Sequence, residues 1–75
     1  MEVKLFGSLS EMFGKSILKV NDCYDIKTLK ENLFMEYPEL KNCVFLISVD
    51  KKVVLYNQKL EAENEIAFLP PFAGG

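Results

Sequence analysis

The chain has 75 residues, nine lysines against eleven acidic residues, a net charge of −2, and no arginine, histidine or tryptophan. Scattered lysines without arginine exclude a nucleic-acid surface, which needs clustered basic side chains, and remove the bidentate phosphate clamp. Without histidine there is no Ser-His or Cys-His catalytic pair and no His-containing zinc site.

A single domain over residues 1–75 is expected from this length. So small a domain buries only about 60% of its unfolded surface and can hardly maintain an internal catalytic cavity. The apolar fraction of 49% still supports a packed core rather than disorder. No apolar run approaches the roughly 18 residues of a membrane span. Met1-Glu2-Val3-Lys4 passes directly into a strand pattern, which we read as the absence of a signal peptide and as a cytoplasmic location. Cys23 and Cys43 match no metal-ligand spacing, so no metal is expected, and both thiols should be free and partly buried.

In chain order, residues 1–6 alternate, with Met1, Val3 and Leu5 on one face and Glu2, Lys4 and Phe6 on the other, as in a half-buried strand. Gly7-Ser8 breaks it. Ser8 reads as the N-cap of a short helix through Phe13, with Glu11 completing a capping box, and Gly14 suits the left-handed position that ends a helix. Ser16–Val20 is a second strand, antiparallel to the first. Asp25 reads as the N-cap of the main helix, Ile26 to about Tyr37, whose Ile26, Leu29, Leu33 and Tyr37 share the buried stripe. Pro38 ends it.

Cys43–Val49 is the longest apolar run and reads as a central strand covered on both faces. A polar turn, Asp50-Lys51-Lys52, leads to a short fourth strand, Val53–Leu55. The irregular stretch 57–64 has Leu60 as its one anchor. Glu65–Leu69 is the last strand, with Ile66 and Phe68 inward and Ala67 and Leu69 outward. The pattern is α+β: a mixed sheet of about five strands, a short helix after the first, and one main helix across one face. Nothing in the chain covers the other face. Phe6 and Leu69 point toward it, with Val53 or Val54 beside them, and such a patch suits a partner protein.

The tail, Pro70-Pro71-Phe72-Ala73-Gly74-Gly75, is where chemistry remains. Proline cannot extend a sheet ladder and fixes φ, so residues 70–75 should run out of the domain as an extended arm. A Gly-Gly end has no side chain to pack and loses the most entropy when ordered. It suits threading through a narrow channel of another protein. Glu61, Glu63 and Glu65, like Asp22 and Asp25, sit in polar loops where carboxylates stay solvated. The α-carboxylate of Gly75 is different. An activating enzyme can convert it to a mixed anhydride with AMP, and a sulfur nucleophile can then displace AMP to leave a thiocarboxylate.

Ala67-Phe68-Leu69-Pro70-Pro71-Phe72-Ala73-Gly74-Gly75 resembles the AFFPPVxGG ending of the small subunits of molybdopterin synthase, a ubiquitin-like β-grasp sulfur-carrier family. Val3–Met12, Ser48-Val49-Asp50 and Glu65-Ile66-Ala67 extend the likeness along the chain. Glu61-Ala62-Glu63-Asn64 departs from the family's DGD turn, with Asn64 expected to adopt the glycine's positive φ. Phe72 replaces a smaller residue. The resemblance implies a thiocarboxylate on Gly75, with Gly74 giving it reach. It implies that Phe6, Val53 and Leu69 pack against the large synthase subunit, in a heterotetramer. It also implies an E1-like adenylyltransferase that spends ATP on the terminus, and a sulfur-donor protein. No cofactor is expected on the chain itself, which by itself would be a sulfur-carrying subunit and not an enzyme. The acceptor would be cyclic pyranopterin monophosphate, in molybdenum cofactor biosynthesis. The alternatives are a carrier for thiamine thiazole or tRNA thiolation, a ubiquitin-like protein modifier, and a plain interaction domain with an inert tail.

Overall fold

Alternation builds the first strand: in β1 (Glu2–Leu5), Val3 and Leu5 are buried while Glu2 and Lys4 face solvent. The computed structural model describes residues 1–71. After β1 come α1 (Ser8–Phe13), β2 (Ile17–Lys19), α2 (Ile26–Glu36), a 3-10 turn (Pro38–Asn42), β3 (Leu46–Val49), β4 (Lys52–Val54) and β5 (Ile66–Leu69). The strands form one sheet in the order β2-β1-β5-β3-β4. β1 and β5 run parallel at its centre, and the other pairs are antiparallel. This is the expected α+β architecture of a mixed five-stranded sheet with a helix on one face.

The main helix begins as its sequence predicts. The Asp25 carboxylate accepts from the Thr28 N–H at 2.8 Å, which satisfies one of the orphan donors of the first turn. That bond holds the Asp25 carboxyl below its ordinary value. A depressed carboxylate contributes stability above its unfolded pKa, about 3.9, and loses it as pH falls through the lower folded value. Asp25→Asn keeps a capping oxygen but cannot titrate. We expect its Tm to match the parent's less closely at pH 7 than in acid, with the gap closing as pH drops below about 4. Thermal melts from pH 7 to pH 2 check this; a gap that stays constant over the range refutes it.

Ile26, Leu29 and Leu33 of α2 pack on Val3, Leu18, Ile47, Val49, Ile66 and Phe68 of the sheet, in one buried cluster. Leu60 anchors the irregular stretch into the same core at 3% exposure. The central element of that core is Phe68, fully buried and stacked on Phe45 at a centroid distance of 4.4 Å.

Four local expectations change. Ser8 is not the cap of α1: Gly7 occupies that position without a side-chain cap bond, and Ser8 is the first helical residue. The apolar run 43–49 is not one doubly covered strand. β3 starts only at Leu46, Val44 is exposed, and one face of the strand is open; β5 holds the central place instead. The β3–β4 turn has two residues, Asp50 and Lys51, both at positive φ (51° and 69°), as a twist-matched hairpin requires. Asn64 is not at positive φ. Its Oδ1 accepts from the Glu61 N–H at 2.7 Å and its Nδ2 donates to Asp50 at 2.8 Å, so side-chain bonds hold the turn that glycine would otherwise allow. The 3-10 turn was not foreseen; Leu40 pins it to the core.

Candidate functional site

The sheet face opposite α2 has a small-residue floor. Register places Lys4 of β1 beside Ala67 of β5, Ala67 beside Ser48 of β3, and Ser48 beside Val53 of β4. Ala67 and Ser48 are only 6% and 5% exposed although no helix among the described residues covers them. Larger neighbours rise around them instead. Phe6, Lys51, Val53, Glu65 and Leu69 surround the two small residues in a depression of about 280 Å³. Phe6 and Val53 are each about half exposed, and Leu69 is half-buried. Phe6 and Leu69 thus share the open face on which alternation places them, and of Val53 and Val54 it is Val53 that joins them there. Val54 turns the other way and packs against the core.

Register extends the apolar surface beyond those three. Leu46 lies opposite Leu69, and Ile17 lies opposite Lys4; both are partly exposed. Sequence reading missed them because Leu46 was hidden in a continuous apolar run and β2 was too short to show its alternation. The rim is charged. Lys4 Nζ donates to Glu65 Oε2 at 2.7 Å, and this bond holds the Glu65 carboxyl below its ordinary value. Both partners are well exposed, so the pair orders the rim more than it stabilises the fold. Glu61, by contrast, is raised by its hydrogen bond to Glu63 and by that neighbour's charge. Glu61 is exposed to solvent.

A larger groove of about 490 Å³ runs between α2 and β4. Ile26, Phe34, Phe45 and Val54 give it an apolar wall, and Lys27, Lys30 and Glu31 its charged side. The smaller depression is the better candidate because it adjoins the root of the tail: Leu69 lines it and Pro70 follows directly. Pro70 is half-buried and Pro71 exposed. Phe72, Ala73, Gly74 and Gly75 lie outside the described residues. Cys23 and Cys43 are both free thiols, the first buried and the second partly so. No helix among the described residues is long and apolar enough to cross a membrane.

A parallel first-and-last strand pair, a helix across one face and an apolar open face beside the C-terminal strand define a ubiquitin-like β-grasp domain. Residues 3–75 match the ThiS family, and the chain belongs to that family of ubiquitin-like sulfur carriers. Two solved structures are similar over nearly their full length. SAMP1 from Haloferax volcanii aligns with a TM-score of 0.78 at 23% identity, covering 100% of this chain and 98% of its own; that likeness shows the fold. The complex of subunits 1 and 2 of molybdopterin-converting factor from Helicobacter pylori 26695 contains a chain that aligns with a TM-score of 0.75 at 26% identity, covering 99% and 96%. The second match agrees with the resemblance in the tail.

Proposed function

We propose that the chain is the sulfur-carrying small subunit of a molybdopterin synthase, with the reactive group on Gly75. The observation that carries this is the family match, which runs through residue 75 and so includes the Gly-Gly end. The similarity to a chain of the molybdopterin-converting factor complex supports the choice of pathway, and the open apolar face supports a large-subunit partner. The chemistry proceeds in two displacements. A Gly75 carboxylate oxygen attacks the α-phosphorus of ATP in an E1-like partner, and pyrophosphate leaves. A sulfide-level nucleophile from a donor protein then adds to the carbonyl carbon, and AMP leaves with its electron pair. One oxygen has been replaced by sulfur. The large subunit then receives the thiocarboxylate. Its sulfur adds to cyclic pyranopterin monophosphate, water cleaves the acyl–sulfur bond to return the Gly75 carboxylate, and a second carrier supplies the second sulfur of the dithiolene. The chain contributes the arm and the docking face; the partners contribute the catalytic groups.

Intact mass spectrometry tests the reading. Incubation with the activating enzyme, ATP and a sulfide source should exchange one oxygen for sulfur in a chain that ends at Gly75. Adding the large subunit and cyclic pyranopterin monophosphate should return the mass to that of the carboxylate and yield molybdopterin. A native chain that continues beyond Gly75 without processing, or one that gains no sulfur, overturns it. A thiocarboxylate that forms but is discharged only by a thiazole-forming or tRNA-thiolating system assigns the chain to the alternative carriers.

A further inference from the structure

Gly7 stands between β1 and α1 with φ 57° and ψ −133°, a combination that residues bearing a Cβ avoid. Both peptide groups flanking it are tied down. On one side the Phe6 carbonyl accepts from the Leu9 N–H at 3.2 Å, while the Phe6 N–H, one peptide earlier, donates to the Phe68 carbonyl at 3.3 Å and continues the β1–β5 pairing. On the other, the Gly7 carbonyl accepts from the Ser10 and Glu11 N–H groups at 3.1 and 3.3 Å and from Ser10 Oγ at 2.8 Å. Parallel pairing of Leu5 with Phe68 carries Pro70 alongside Gly7. The proline ring fills the place where a side chain on Gly7 would sit: a Cβ there would lie 3.0 Å from Pro70 Cγ and 3.6 Å from Cδ. Gly14 marks the contrast. It too has positive φ, 67°, but a Cβ there would meet nothing within 4 Å. Backbone conformation alone explains Gly14; Gly7 must also leave room.

We infer that Gly7 is a positioning residue for the tail: its bare Cα seats the Pro70 ring and thereby sets where the chain leaves the sheet. Pro70 has a fixed φ, so a ring held on one side leaves its backbone few directions in which to continue. The β1–α1 turn and the last strand, far apart in sequence, together define where the chain leaves the sheet at Pro70. The consequence for sulfur transfer rests on the reading of Gly75 as the reactive terminus; the seat itself does not.

A four-member cycle of full-length chains tests this: parent, Gly7→Ala, Pro70→Ala and the double variant. Pro70→Ala removes Cγ, the atom a new Cβ would crowd, along with Cδ, and leaves Gly7 unchanged. Sulfur transfer is measured with the large subunit on thiocarboxylated chains, as kcat and KM, together with Tm. The ring would have to give by a few tenths of an ångström, and since a misplacement of on the order of 1 Å can cost about 10²-fold, Gly7→Ala should lower kcat by about threefold or more. KM should stay within about twofold, because the open face still docks. In the Pro70→Ala background the same substitution should change kcat by less than about twofold, while Tm falls in both backgrounds because the unfavourable φ remains. An equal kcat loss in both backgrounds, or a Tm loss without a kcat loss, overturns the proposal. If Gly7→Ala fails to fold, Pro70→Ala decides alone: kcat must fall by at least about threefold with KM held, and an unchanged kcat overturns it. A proton NMR contact between Gly7 Hα and Pro70 Hγ in the parent chain needs no partner. If the parent carries no sulfur, the functional reading fails while that contact upholds the seat; if the contact is missing, the seat fails whatever the chain does with sulfur.

Discussion

A chain lacking Gly75 should fold as the parent does and carry no sulfur to product. The two halves of this expectation have separate physical grounds. Among the described residues the buried core runs from Val3 to Phe68, and after it only Leu69 and Pro70 are half-buried. Removing a residue beyond them takes no side chain from that core, and changes away from core and caps usually stay within about 0.5 kcal/mol. The chemical half follows from where the electrophile is made. If Gly75 is the terminus that an E1-like partner activates, as proposed, the chain without it ends one residue short of the adenylating site. Effective molarity is lost steeply when a reacting group falls out of reach, so thiocarboxylate formation and molybdopterin production should drop to the level without the chain. Gly75→Ala should act in the same direction, since on the proposed reading a partner's channel takes a chain without Cβ atoms. The measurement is thiocarboxylate yield by intact mass, product formation with the large subunit, and Tm of each variant. Normal molybdopterin from the truncated chain would refute the assignment of the reactive terminus. A collapsed Tm would instead place the last residue in the fold.

What could be read from sequence was what short-range physics decides. The Asp25 cap, the Ile26-Leu29-Leu33 stripe and the alternation of β1 each depend on residues within a turn or two of one another. From them came the α+β class and one open face, and the face then located Phe6 and Leu69. The parts that escaped depend on contacts between distant residues. The continuous apolar stretch 43–49 conceals its own register, because its inward Ile47 and its outward Leu46 are equally apolar; only pairing with β5 and β4 separates them. Asn64 was assigned a backbone role because glycine is common there in the resembling family, whereas its side chain bridges Glu61 and Asp50. Gly7 looked like a strand breaker, and its contact with Pro70 exists only once β1 and β5 are parallel neighbours.

Phe68 and Leu69 are adjacent in β5, face opposite sides of the sheet, and should fail in opposite ways. Phe68 is fully buried and stacked on Phe45, which also meets Phe34 edge-on at 6.4 Å. Truncating a buried Phe to Ala costs about 3–5 kcal/mol through lost transfer energy and the cavity left behind, and the lost ring pairing adds to it. Native stability is only about 0.05–0.15 kcal/mol per residue, so for a 75-residue chain that loss is a large share of the whole. Phe68→Ala should therefore lower Tm by at least about 15 °C, at about 4–8 °C per kcal/mol, or abolish the cooperative transition. Leu69→Lys should spare the fold, because a lysine at the half-buried rim can lay its stem along the depression and keep its ammonium in water. The same ammonium must be stripped of water when an apolar partner covers the face, so affinity for the large subunit should fall by about ten- to a hundredfold with Tm nearly unchanged. Circular-dichroism melts and a binding titration on both variants separate the two outcomes. Unchanged affinity in Leu69→Lys would remove this face from the interface, and an unchanged Tm in Phe68→Ala would mean the core is organised around some other side chain. The two results together locate the boundary between what holds the sheet and what the sheet presents, and that boundary runs between two consecutive residues.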